Sequence, residues 1–258
     1  MAIQTSKSNG ILTIEFDRLD RKNAITSAMY QSMADTINAA ETDAEVRVLL
    51  ITGKPEIFTA GNDLVDFATT TAANDGVAFT DRPVIQFMKA LFNFSKPVVA
   101  AVNGAAIGIG TTLLMHCDLV YAADNAKFSV PFAQLGLCPE FGSSMLLPLN
   151  AGHARAAEKL MLGEPFGAQE AYDMGLVSKL LPAAEVLPHA QAQAAKLVAL
   201  PAASIRHTKR LMKAGRDALK AHIDVESAQF GAMLTGGEAK EAFTAFFEKR
   251  KPDFSKFD

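Results

Sequence analysis

An α/β fold with largely parallel strands, followed by a helical C-terminal region, is predicted by three features of this 258-residue sequence. Short apolar runs alternate with segments of helical periodicity through the first part of the chain. Glycine-rich turns join strand ends to helix starts. From about Ala183 onward the pattern becomes almost wholly helical, rich in Ala, Lys, Glu and Leu.

Taken in order, Ile11-Leu12-Thr13-Ile14-Glu15-Phe16 alternates in polarity after an Asn9-Gly10 turn pair, which reads as a strand. Met29, Met33 and Ile37 recur at helical spacing and predict a helix from about Thr26 to Ala40. Val46 to Thr52 is an apolar run that reads as a buried strand. Residues 65–82 mix Thr, Ala, Asn, Asp and Gly without periodicity, so a mobile loop is expected there. A helix near Val84 to Phe94 leads into a strand from Pro97 to Val102. Beyond a glycine-rich turn come a helix from about Ile109 to His116, a strand from Asp118 to Ala122, and a short extended piece from Lys127 to Val130. The change in composition near Ala183 marks a helical C-terminal region after an α/β core. No strong repeat or low-complexity segment interrupts it.

Composition narrows the classes of function. Hydrophobic residues make up 49% and charged residues 21%, a balance that can bury a sizeable core. The net charge of −3 is spread along the chain, without the basic excess of a nucleic-acid binder. Two cysteines, Cys117 and Cys138, form no CxxC and fit a reducing compartment. The start of the chain lacks a signal-peptide pattern, and its last residues, Lys256-Phe257-Asp258, are not a peroxisomal tail. The longest apolar stretch, Pro97 to Ile109, is broken by Asn103 and glycines and is unsuited to a bilayer. A soluble, cytoplasmic protein without a membrane partner is expected. The five histidines, at positions 116, 153, 189, 207 and 222, show no metal-ligand spacing, so no metal is expected.

Three segments can carry chemistry. In Phe58-Thr59-Ala60-Gly61-Asn62-Asp63-Leu64, small residues allow a ligand close to the backbone and leave the Asn62 N–H free to donate. An ordinary strand exit has the same composition. In Asn103-Gly104-Ala105-Ala106-Ile107-Gly108-Ile109-Gly110, glycines flank Ile109 where a helix begins, so its N–H is unpaired and backed by the helix dipole. Leu113 stands where a dinucleotide fingerprint needs another glycine. Two such donors aimed at one point would form an oxyanion hole. The third segment, Gly136-Leu137-Cys138-Pro139-Glu140-Phe141-Gly142, places Glu140 in apolar company, where desolvation would raise its pKa and make it a base near neutral pH. Glu140 could equally be a helix-start carboxylate stabilised by the dipole.

In order along the chain, these segments resemble the crotonase (enoyl-CoA hydratase/isomerase) superfamily. The match begins at Arg21-Lys22-Asn23-Ala24, continues through Phe166-Gly167-Ala168-Gln169-Glu170-Ala171-Tyr172-Asp173-Met174-Gly175-Leu176-Val177, and ends at Ala245-Phe246-Phe247-Glu248-Lys249-Arg250-Lys251. The resemblance implies a crotonase (ClpP-like) spiral core of ββα repeats with the acyl-CoA site over 1–195 and a C-terminal helical trimerisation region over 196–258, assembled as homotrimers or dimers of trimers. It implies an acyl-CoA thioester held by the backbone N–H groups of Asn62 and Ile109. CoA contacts fall on Lys22, Ala24 and Ala60, with Phe246 and Lys249 reaching the CoA of a neighbouring subunit. The two glutamates of the hydratases are replaced here by Thr112 and Phe132. That leaves Glu140 as the one carboxylate in reach, as in the peroxisomal-type Δ3,Δ2-enoyl-CoA isomerases. The reaction then expected moves the double bond of a 3-enoyl-CoA to the trans-2 position with Glu140 as catalytic base. Phe132, Leu137 and Phe141 form the acyl pocket, and CoA enters only as part of the substrate, with no further cofactor. Two alternatives follow from the same resemblance: a ring-opening isomerase of the epoxyphenylacetyl-CoA type, or a catalytically silent acyl-CoA-binding homologue.

Overall fold

The computed structural model describes residues 2–72 and 77–257. Strands β1 (Ile3–Ser8) and β2 (Ile11–Phe16) form an antiparallel hairpin. Its turn residues Asn9 and Gly10 both adopt positive φ, 49° and 78°, the geometry that matches a tight hairpin to strand twist. Helix α1 (Ser27–Thr42) starts where the Thr26 hydroxyl accepts from the Met29 N–H at 3.3 Å, and buries Met29, Met33 and Ile37. Strand β3 (Val48–Thr52) follows, then α2 (Leu64–Ala72) and α3 (Pro83–Asn93), the latter begun by a proline whose missing N–H costs nothing at a helix start. Next come β4 (Val98–Val102), β5 (Ala105–Ile107), the single-turn α4 (Ile109–Thr112), β6 (Leu119–Ala123) and β7 (Lys127–Ser129). Helices α5 (Ser143–Ala151) and α6 (His153–Leu162) lead to β8 (Phe166–Gly167), α7 (Ala168–Asp173) and β9 (Lys179–Leu181). Four helices complete the chain: α8 (Ala183–Ala199), α9 (Ala202–Met212), α10 (Arg216–Leu234) and α11 (Gly237–Phe247).

Six strands pair in the order β1-β2-β3-β4-β6-β9, parallel throughout except for the β1–β2 hairpin. All five residues of β3 and of β4 are buried, as expected of central parallel strands covered on both faces. Helix α8 packs across β3, β4 and β6, while α1 and α3 pack on each other. A second sheet, β5-β7-β8, holds the turn into α4. The fold is therefore α/β with a helical C-terminal region, as the sequence predicts. Among the described residues no helix is long and apolar enough to cross a membrane.

Several local expectations change. The loop expected over 65–82 is largely helical, because α2 occupies its first part and a 3-10 turn, Phe79–Asp81, its last. Residues 73–76 of that span lie outside the described residues, as do Met1 and Asp258. The helix expected from Ile109 to His116 is α4 followed by a tighter 3-10 turn, Leu113–His116.

The C-terminal helices fold back onto the core. The Lys209 ammonium of α9, almost wholly buried, lies 2.8 Å from Asp118 Oδ2 and donates to the Lys96 carbonyl at 2.7 Å. Phe230 and Leu234 of α10 join Val130, Phe132 and Leu137 in an apolar cluster of their own.

Candidate active site

The first backbone donor is fixed by hydrogen bonds on both sides of it. Asn23 donates its amide to the carbonyls of Ile57 and Phe58 at 2.9 and 3.1 Å, and the Ala60 N–H reaches the Lys22 carbonyl at 3.0 Å. Ile25 forms a parallel bridge with Asn62: its N–H donates to the Gly61 carbonyl, and its carbonyl accepts from the Asp63 N–H. In that pattern Asn62's own N–H points away from Ile25, and among the described residues no acceptor meets it.

The second donor sits across from the first. Thr59 and Ala106 are bridged in parallel, which brings the two segments together. Gly61 has φ +84°, and a Cβ there would lie 2.7 Å from the Ile107 carbonyl oxygen, so only glycine allows this approach. The Gly108 N–H is taken by the Ser129 carbonyl at 2.9 Å, whereas the Ile109 N–H, first in α4, meets no acceptor among the described residues. Asn62 and Ile109 both line one cleft of about 460 Å³.

Lys22, Ala24, Ala60 and Phe246 also line that cleft, together with Phe132 and Leu137. Lys249 is exposed and does not line the cleft of its own chain. Phe141 departs from the expected acyl pocket. Its backbone is left-handed, with φ 59°, and its fully buried ring stacks on His116 with centroids 3.7 Å apart. The His116 ring Nε2 donates to the Phe141 carbonyl at 2.7 Å, which fixes its tautomer, and burial lowers the His116 pKa to about 3, so the ring stays neutral. His116 thus supports the turn after Glu140.

Glu140 is buried, and the residues that line the space beside it are remote in sequence. Its carboxyl faces a small recess whose apolar wall comes from Phe79, Val84, Ile85, Met88 and Phe230. The Thr112 hydroxyl donates to Oε1 at 2.5 Å, while Oε2 has no hydrogen-bond partner. Burial raises the Glu140 pKa from 4.5 to about 8; the Thr112 hydrogen bond opposes that shift and the nearby Glu226 carboxylate adds to it. A helix-start role for Glu140 is taken over by Glu226 of α10, whose carboxylate accepts from the Gly142 and Ser144 N–H groups at 2.5 and 3.0 Å. Behind the cleft, the Tyr30 hydroxyl donates to the Asn62 side-chain oxygen at 2.5 Å. Its pKa is raised, first by burial and then by Glu140 and Asp66, so the phenol stays protonated. Neither Thr112 nor Tyr30 stands close in sequence to the group it contacts, and no local pattern marks them as partners. Among the described residues no group of three or more His, Cys, Asp or Glu side chains could hold a metal ion.

A buried carboxyl with one unpartnered oxygen, beside a cleft with two free backbone donors, is an arrangement that can serve proton transfer next to a carbonyl group. The enoyl-CoA hydratase/isomerase family matches residues 6–256, and the chain belongs to that family, within the crotonase superfamily. It is accordingly an acyl-CoA-processing enzyme. The structure of OdaA from Pseudomonas aeruginosa is 46% identical and superposes with a TM-score of 0.90, covering 95% of this chain and 98% of that one. Enoyl-CoA delta isomerase 2 of Rattus norvegicus is 35% identical over 97% of this chain, which spans 64% of the rat protein's length. The 2,3-dehydroadipyl-CoA hydratase of Escherichia coli (strain K12) is 32% identical over 96% of both chains.

Proposed function

We propose that this enzyme shifts the double bond of a 3-enoyl-CoA to the trans-2 position, with Glu140 as its only acid–base group. The observation that carries this reading is the unpartnered Glu140 Oε2, buried at a pKa of about 8 beside the cleft that contains both free N–H groups. Oε2 takes a proton from C2 of the bound thioester. The charge spreads into a dienolate, whose oxygen is held by the N–H groups of Asn62 and Ile109. The protonated carboxyl then returns the proton at C4, which leaves the double bond between C2 and C3. Protons balance through one carboxyl group and no electrons are transferred, so CoA is needed only as part of the substrate. Thr112 supports the reading from the other side, since its hydroxyl serves as a hydrogen-bond donor to Glu140 at a place where the resemblance puts a hydratase carboxylate.

The test is Glu140→Gln, assayed for 3-enoyl-CoA isomerisation and for CoA-ester binding. Turnover is expected to fall by about three orders of magnitude or more with binding retained. Turnover near that of the wild type would sink the assignment, and so would rapid hydration of crotonyl-CoA by the unmodified enzyme.

A further inference from the structure

The recess in front of Glu140 is distinct from the large cleft, and the two have Asn62, Phe67 and Phe230 in common. Phe230 is the hub of the partition between them. Its ring stacks on Phe79 at 5.9 Å and meets Phe67 and Phe132 edge-on at 6.4 and 6.2 Å. On the far side Val84, Ile85 and Met88 of α3 close the wall. The free space in the recess is about 10 Å³, room for roughly one water-sized group.

This geometry bears on the acyl chain. A thioester held at Asn62 and Ile109 must pass C2 to C4 beside Phe230 to meet Glu140 Oε2. Carbons that continue past Glu140 beyond C4 meet a recess with room for about one more. We propose that Phe230 and Phe79 set an upper limit on acyl length, so that the substrates are CoA esters of short acyl groups, about four or five carbons long. The proposal rests on the isomerase reading for the position of the thioester, but its test does not depend on proton transfer.

The experiment measures binding of saturated acetyl-, butyryl-, hexanoyl- and octanoyl-CoA by titration calorimetry. An apolar pocket open to the chain tightens binding by about fourfold per methylene. In the wild type, affinity is expected to rise from acetyl- to butyryl-CoA and then stop, with octanoyl-CoA no more than about threefold tighter than butyryl-CoA. A larger gain overturns the limit. In Phe230→Ala the gain is expected to continue, to at least about tenfold for octanoyl-CoA; Phe79→Leu, a smaller change, serves if that variant does not fold. No gain in a folded variant removes the limit from these two rings. These ligands carry no double bond to move. Failure here therefore leaves the Glu140→Gln result untouched, and the reverse also holds.

Discussion

Two opposed influences meet at Glu140. Burial holds its carboxyl at a pKa of about 8, and the Thr112 hydroxyl, bound to Oε1, lowers it from where burial alone would put it. A base must be deprotonated to act, so kcat/KM is expected to rise with pH through an inflection near 8 and to level off above it, the reverse of an enzyme that uses a protonated acid. Thr112→Val keeps the volume but removes the donor. The inflection is then expected to move to higher pH, with kcat/KM at pH 7 reduced by about threefold to tenfold. A pH–rate profile of both proteins checks this, and an unmoved inflection would show that Thr112 does not act on the base. Of the site, the two backbone donors were legible in the sequence, because small residues at a strand exit and at a helix start are local properties. A buried Glu140 was expected too, but from Leu137, Pro139 and Phe141, whereas Phe79, Val84, Ile85, Met88 and Phe230 line the recess beside it. The contacts of Thr112 and Tyr30 were not legible, since each joins side chains about thirty positions apart with no shared pattern.

At the scale of elements, the close approach of two strand ends aligns the free N–H groups. Gly61 sits at the crossing, with positive φ and the Ile107 carbonyl oxygen where a Cβ would go. Gly61→Ala is therefore expected to push the segments apart, lowering kcat/KM by about 100-fold or more as the two donors lose their shared focus. Circular dichroism and isomerase kinetics on the same sample separate that effect from unfolding. Elements with strong periodicity were read close to their observed bounds: β2, α1, α3 and β4. Strand β1 was missed because only Ile3 of its six residues is buried, which leaves an edge strand with no alternation to detect. Helix α2 carries no helical periodicity and a run of Thr that lowers its helix propensity, while its Phe67 packs edge-on against Phe230 and Phe243, contacts that no local pattern shows. Phe141 was misplaced for a related reason. Apolar character marks a residue as buried but not which space it faces, and a left-handed backbone turned this ring toward His116.

Across the whole molecule, the helical region is bound to the sheet through the ion pairs of Lys209 and Lys213 with Asp118 as well as through apolar contact. Lys209 meets Asp118 Oδ2, and that same oxygen accepts the Val98 N–H at the start of β4. Lys209→Met would leave the Asp118 carboxylate with the more distant Lys213 ammonium, 3.7 Å from Oδ1, and a cost of about 2 kcal/mol in unfolding free energy is expected. Urea titration of the two proteins measures it; a loss below about 1 kcal/mol would assign the docking of α9 to apolar contact alone. The parallel order of the sheet followed from the alternation of strands and helices. How far the C-terminal helices reach back into the site did not, because their surfaces carry mixed residues whose partners lie more than eighty positions away.

That reach has a consequence for the order in which the protein is made. Glu226 holds the turn after Glu140, and Phe230 on the same helix walls off its recess. Strands β1 to β9 have all left the ribosome before either residue is translated. A nascent chain can thus pair its whole sheet while the turn that presents Glu140 still lacks its clasp. Competence for turnover arrives with α10, after a core that has already had time to form.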